Sequence, residues 1–187
     1  MMYRSLSGKI GLLLLLFAAR TQAADISLAS DLAADFYNPS IQVTEALILQ
    51  RNGNANVAII DQTGSTVGGG NYSEILQTGS LNQAYTLQIG DSNRIRIDQT
   101  GSSNYANVTQ NGSGNTFDLA QTGDANLTAS QIGNYNSIIA NQANQNGLPA
   151  VLNEVGNNNS IVLSATTPGL SVNISIVGDG MSINRTF

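Results

Sequence analysis

The chain has 187 residues, seven of them basic and twelve acidic, with no cysteine and no histidine. Those two absences exclude disulfide staples, thiol chemistry, zinc sites of the usual kind and an imidazole base. Asn, Gln, Ser, Thr and Gly dominate what remains, a composition shared with disordered chains, so periodicity has to decide whether the chain is ordered.

Residues 1–23 read as a secretory signal: Arg4 and Lys9 lead the apolar run IGLLLLLFAA, and TQA at 21–23 offers small residues for cleavage. The run is shorter than the roughly 20 apolar residues of a membrane span, so it predicts Sec-type export. Cleavage after Ala23 leaves 164 residues, with four arginines (Arg51, Arg94, Arg96 and Arg185), no lysine and twelve carboxylates, a net charge of −8. A nucleic-acid or anionic-membrane partner needs a basic stripe, which four scattered arginines do not form. Within the next segment, 24–43, Leu28, Leu32 and Phe36 stand at helical spacing, which fits either a short helix with an export-addressing role or simple disorder.

From residue 44 onward the chain repeats itself. Gln50, Gln62, Gln77, Gln88, Gln99, Gln110, Gln121 and Gln142 recur, mostly at intervals of eleven, each set in a common frame with Asn56, Asn71, Asn82, Asn93, Asn104, Asn115, Asn126 and Asn136; Asn159 extends the series. Five residues separate each Asn from the following Gln, as in NRIRIDQ at 93–99. On a strand, Asn93, Ile95, Ile97 and Gln99 then share one face, and Arg94, Arg96 and Asp98 the other. The frame predicts thirteen strands, at 44–50, 56–62, 71–77, 82–88, 93–99, 104–110, 115–121, about 126–132, 136–142, 148–154, 159–165, 170–176 and 181–187. Gly64, Gly79, Gly90, Gly101, Gly112, Gly123, Gly133 and Gly156 fall in the linkers, where a positive φ allows a sharp reversal. The stretch 63–70 reads as an insertion. In the eighth unit Gln131 comes one place early, and Ile132 is expected to take its inward slot.

Such a repeat fits an antiparallel meander or a coil whose successive strands belong to opposite sheets. The coil is favoured by the first inward slot, which holds Ile95, Phe117, Ile138, Ile161 and Ile183 in odd units but Ala58, Ala84, Ala106 and Ala150 in even ones. A two-sheet parallel β-solenoid of about 22 residues per turn would stack like on like and set bulky columns across from slim ones. Identical amides would then lie about 4.8 Å apart and form a ladder that satisfies buried polar groups by repetition.

The Gln-x-Gly-x-x-Asn spacing followed by Asn-x5-Gln resembles the curlin repeat of curli fimbriae, the extracellular amyloid of bacterial biofilms. The resemblance covers roughly 44–187 and is strongest over 77–142. It implies a fibre subunit that assembles with itself and with a second curlin-type subunit. It also implies passage through a curli-type outer-membrane pore with accessory factors, and residence at the cell surface. Segment 24–42 holds no glycine, which resembles the minor, nucleating subunit more than the Gly-rich major one. The last units depart from the pattern, with Glu154, Ala165, Ile176 and Phe187 at Gln positions and Leu148, Leu170 and Met181 at Asn positions.

The remaining polar groups are thinly spread. Asp91, Asp98, Asp118 and Asp124 are candidate gatekeepers that slow premature association, or are ordinary solvated charges. Tyr85 and Tyr105 share an outward face, as an aromatic stripe or merely as good strand formers. Calcium-binding turns of the β-roll type need a nine-residue period, and the period here is eleven. The sequence therefore predicts no enzyme, catalytic residue, cofactor, metal site or small-molecule substrate. It predicts a structural subunit that nucleates or extends fibres by end-on strand pairing. The alternatives are a secreted β-helical enzyme acting on polysaccharide, which would gather carboxylates on one face, and a monomeric surface-binding solenoid, which would show a flat outward Thr ladder.

Overall fold

The computed structural model describes residues 44–64, 69–143, 146 and 148–187. The expected signal at 1–23 and the expected addressing segment at 24–43 lie outside the described residues. The chain forms β1 (Glu45–Arg51), β2 (Val57–Thr63), β3 (Tyr72–Ser80), β4 (Gln83–Ile89), β5 (Arg94–Ser102), β6 (Tyr105–Asn111), β7 (Thr116–Thr122), β8 (Asn126–Ile132), β9 (Ser137–Ala143), β10 (Pro149–Val155), β11 (Ser160–Ala165), β12 (Val172–Val177) and β13 (Ser182–Thr186), with no helix among the described residues. Odd strands build a seven-stranded sheet in the order β1-β3-β5-β7-β9-β11-β13, and even strands a six-stranded one from β2 to β12. Every neighbouring pair is parallel, with register steps such as Ile95↔Phe117 and Ala84↔Ala106. This is a two-sheet β-solenoid of about six turns, and the meander is excluded.

Alternation within each strand explains the two layers. In β5, Ile95, Ile97 and Gln99 are buried while Arg94 is exposed and Asp98 half-buried. Parallel strands need a long crossover, and here the crossover is the strand of the opposite sheet with its two turns. Burial of side chains such as Phe117, Ile97 and Leu127, each worth about 1.5–3 kcal/mol, joins the sheets into one core.

The facing of columns corrects the sequence expectation. Ser73 Oγ and Thr86 Oγ1 lie 3.2 Å apart across the core, and Gln110 Nε2 donates to the Arg94 carbonyl at the start of β5. The sheets therefore run oppositely across the core, and the first inward slot of one faces the second slot of the other. By that register Ile75 and Ile97 face the slim Ala84 and Ala106, and Phe117 faces Val108 and Ala129. Where Leu127 breaks the alanine column, Ala140 on the facing sheet makes room.

The eighth unit is a second correction. Gln131 is buried and in register with Gln110, whereas Ile132 points outward and is 46% exposed. The cause lies in the preceding turn. In most turns the residue just before the Asn slot is left-handed even when it is not glycine: Leu81, Ser92, Ser103, Tyr135 and Asn158 have φ between 56° and 62°. Between Gln121 and the next slot that residue is missing, so Ala125, not Asn126, occupies the Asn position and the whole strand moves forward by one.

The turn glycines have two reasons to be glycine. Gly90 has φ 106°, and a Cβ there would also overlap the carbonyl oxygen of Gly112 one turn away. Gly64 is different from its column mates, because it is not left-handed and is required only by its close approach to the Gly90 carbonyl. Gly169, with φ 77°, has nothing within 4 Å of its would-be Cβ. Gly90→Ala is expected to cost about 3 kcal/mol or more through strain plus overlap, and Gly169→Ala only about 1–2 kcal/mol through strain. Guanidinium denaturation followed by far-UV circular dichroism checks the contrast, and equal midpoints for the two variants would refute it.

Candidate functional site

The inward amides form two continuous hydrogen-bonded columns, one per sheet. In the odd sheet Gln50 Nε2 donates to Gln77 Oε1 at 2.8 Å, Gln77 to Gln99 at 2.8 Å, Gln99 to Gln121 at 2.9 Å and Gln121 to Gln142 at 3.0 Å. In the even sheet the chain runs Gln62, Gln88, Gln110, Gln131 and Glu154, with distances of 2.6 to 2.9 Å. The second Nε2 hydrogen reaches across the core to the first carbonyl of the preceding strand, as from Gln88 to Tyr72 and from Gln121 to Tyr105. The interior glutamines, Gln77, Gln88, Gln99, Gln110, Gln121 and Gln131, thus find both donor bonds and one acceptor bond within the stack, which removes the penalty of burying them.

The asparagines fasten turns instead. Asn93 Oδ1 accepts the backbone N–H of Asn115, and Asn93 Nδ2 donates to the Gly112 carbonyl at 2.8 Å. Asn71, Asn115, Asn136 and Asn159 repeat this on one edge, and Asn56 and Asn82 on the other, where Asn104 accepts the Ala125 N–H but donates to Asn82 Oδ1 and the Thr100 carbonyl. Asn126 is the one amide of the expected set that neither joins a column nor fastens a turn, its slot being taken by buried Ala125. Gln131 is the rung that sequence reading placed wrongly. The spacing of Gly123 to Gly133, ten rather than eleven, held the signal.

Glu154 ends its column. It is fully buried; its Oε2 accepts from Gln131 at 2.9 Å, and its Oε1 has no hydrogen-bond partner. Ile176 takes the next slot, so no acceptor is needed beyond it. Desolvation pushes its pKa up to about 7, against the opposing effects of the Gln131 amide and the nearby Ile161 backbone N–H. None of β8, β9, β11 and β12 contains a charged residue.

Outside the core, charges alternate along one column, with Glu74, Arg96 and Asp118 in successive layers and Arg96 Nε 3.5 Å from Glu74. Arg94 lies over the Tyr72 ring at 5.5 Å. Asp98 stacks between Leu76 and Ala120, Asp124 is exposed in a turn and Asp91 is half-buried in another. The rings of Tyr85 and Tyr105 approach to 5.9 Å. The four aspartates do not converge on one site.

The sheets end on edges to which no described strand pairs. At the N-terminal end β1 and β2 present Ile48, Gln50, Ala58, Ile60 and Gln62, only partly buried. At the other end β13 presents half-buried Ile183 and exposed Arg185, the latter in the column of Leu163, while Val172, Ile174 and Ile176 of β12 are already buried. The sequence profile of the curlin associated repeat matches residues 68–101 and 90–123, which supports curlin family membership. No curated protein and no solved structure matches the chain.

Gln99→Leu strands the Gln121 Oε1 and deprives the Gln83 carbonyl of its partner, so a loss of about 2–4 kcal/mol is expected in chemical denaturation. For Glu154, the folded state holds its proton more tightly than the unfolded chain. Its destabilising effect is therefore absent below the unfolded pKa of 4.5, grows as pH rises to about 7, and is constant above, reaching about 3 kcal/mol. Glu154→Gln should flatten that dependence and raise the denaturation midpoint at pH 8, leaving it little changed at pH 4.

Proposed function

We propose that this chain is a structural subunit of extracellular curli-like fimbriae, and that it starts or lengthens fibres by pairing strand to strand at the ends of its solenoid. The curlin repeat and the β-solenoid fold fit a curli-type subunit. The observation that carries the reading is the pair of amide columns, in register through every layer from β1 to β9 and from β2 to β10, because an in-register stack leaves at its end the bonding pattern that the next layer needs. The expected leader supports Sec export followed by an outer-membrane pore of the curli type, with the product held at the cell surface in a biofilm matrix.

The missing amide rungs in β12 and β13 support the minor, nucleating role over the bulk one, since a fibre-filling subunit needs rungs at both ends. A polysaccharide-acting enzyme is the weaker reading. Glu154 is sealed in the core, and Glu74 and Asp118 are separated by the arginine between them. Outward slots that pass from Arg to Tyr to Leu also lack the flat Thr ladder of a surface binder.

Purified chain is expected to form thioflavin-positive fibres, or to shorten the lag of a regular curlin-repeat protein at substoichiometric amounts. Fibre diffraction should give reflections near 4.8 Å and about 10 Å. A chain that stays monomeric by sedimentation and leaves the partner's lag unchanged would defeat the reading.

A further inference from the structure

The rung-to-rung hydrogen bonds of the two glutamine columns all point one way. From rung to rung the Gln Nε2 donates to the side-chain oxygen of the next, C-terminal layer, so the Oε1 atoms of Gln50 and Gln62 accept nothing among the described residues. Asn56 likewise donates to the Gly79 carbonyl and accepts from the Asn82 N–H, so its bonds also face the next layer. Beside these acceptors stand the half-covered Ile48, Ala58 and Ile60, the same small and branched residues that fill the interior layers. The β1–β2 face is an interior layer with its neighbour removed.

The opposite face is not. Its slots hold Leu170, Val172, Ile174 and Ile176 on one sheet and Met181, Ile183, Arg185 and Phe187 on the other, without a single Gln or Asn. Arg185 continues the Leu163 column, so a layer stacked there would bury an unpaired guanidinium, a known means of blunting sheet edges. The side chains of Ile176 and Phe187 also offer no N–H to a Gln acceptor.

We infer that the solenoid templates from one end only: the β1–β2 face seats the C-terminal layer of a different chain, one whose last layer still carries Gln in both inward slots, and the β12–β13 face seats none. The occupant is fixed by donor and acceptor chemistry. A seated layer must bring two Nε2 donors to Gln50 and Gln62, and a second copy of this chain would bring Ile176 and Phe187 instead. The inference rests on the fibre-subunit reading and assigns its direction and partner class.

The absence of native cysteine makes a direct test available. Ile59 and Asn173 lie in one outward column, at opposite ends of the even sheet. In-register parallel neighbours stand about 4.8 Å apart, within disulfide range. The probe is a tandem of residues 93–114, with one cysteine at the position of Asn107 in either its last or its first copy. Mixed under mild oxidation with the full chain, the last-copy probe is expected to cross-link to Ile59→Cys at about tenfold or higher yield than the first-copy probe does to Asn173→Cys, since burying Arg185 costs several kcal/mol. Ile60→Arg, which copies the blunted face onto the other end, should lengthen the probe's lag relative to the unaltered chain. Comparable yields at both ends would overturn the inference. So would cross-linking of Ile59→Cys chains to Asn173→Cys chains without probe, which would mean self-stacking. No cross-link at either end, while the unaltered chain still shortens the probe's lag, would also overturn it. Failure of the unaltered chain to shorten that lag at all would instead remove the fibre-subunit reading beneath it.

Discussion

A carboxamide inside an apolar core is tolerable only if its two donors and its acceptor are all engaged. In this solenoid the partner of each inward Gln is the Gln one turn away, so the residue is expensive singly and inexpensive in series. That constraint selects parallel, in-register stacking over every other arrangement of the repeat. A one-residue slip would set Gln99 against outward Ala120 or Thr122 rather than Gln121, and each slipped layer would orphan an amide on both sides. Stability and register therefore come from the same bonds.

The turns meet a related demand from the backbone. Stacked reversals bring a carbonyl of one layer to where a Cβ of the layer above would lie, and glycine relieves that approach at Gly90 and its neighbours. The asparagines use the same carbonyls as acceptors and hold the next layer's N–H with their Oδ1, so the turn is fastened where it is most crowded. This fastening offsets the strain of the second left-handed residue, which falls on Leu81 and Tyr135 as readily as on serine.

Much of this was legible in the sequence because the period of the repeat and the alternation of a strand are both integers, and their combination fixes which residues point inward. What escaped were features set by the arcs. The loss of one residue before Ala125 shows as a ten-residue step from Gln121 to Gln131, but that count does not say whether turn or strand is shortened; the turn is, which moved Gln131 inward and Asn126 out. The facing of first slots against second slots depends on the opposite running of the two sheets, which no count along one strand reveals. Gly64 was assigned to a conformation when its reason is contact. The odd placement of Glu154 was visible, but not its consequence: an acceptor-only side chain is the natural last rung of a column whose donors all point its way.

The direction of the bonds reaches beyond one residue. A chain of head-to-tail amides is a vector, with acceptors at one end and donors at the other, and aligned bonds of this kind reinforce one another. The two ends of such a column can never be chemically alike. Here the difference is enlarged by substitution, because the layers past β9 and β10 replace rungs with Ala165, Ile176 and Phe187 and shift cohesion from hydrogen bonds to aliphatic packing by Ile161, Leu163 and Ile174. Packing of that kind is indifferent to direction and needs no further layer to satisfy it. The molecule thus grades from a region whose polar core is incomplete without a neighbour to one that is complete alone, and the boundary between the two falls at Gln142 and Glu154, where the columns stop.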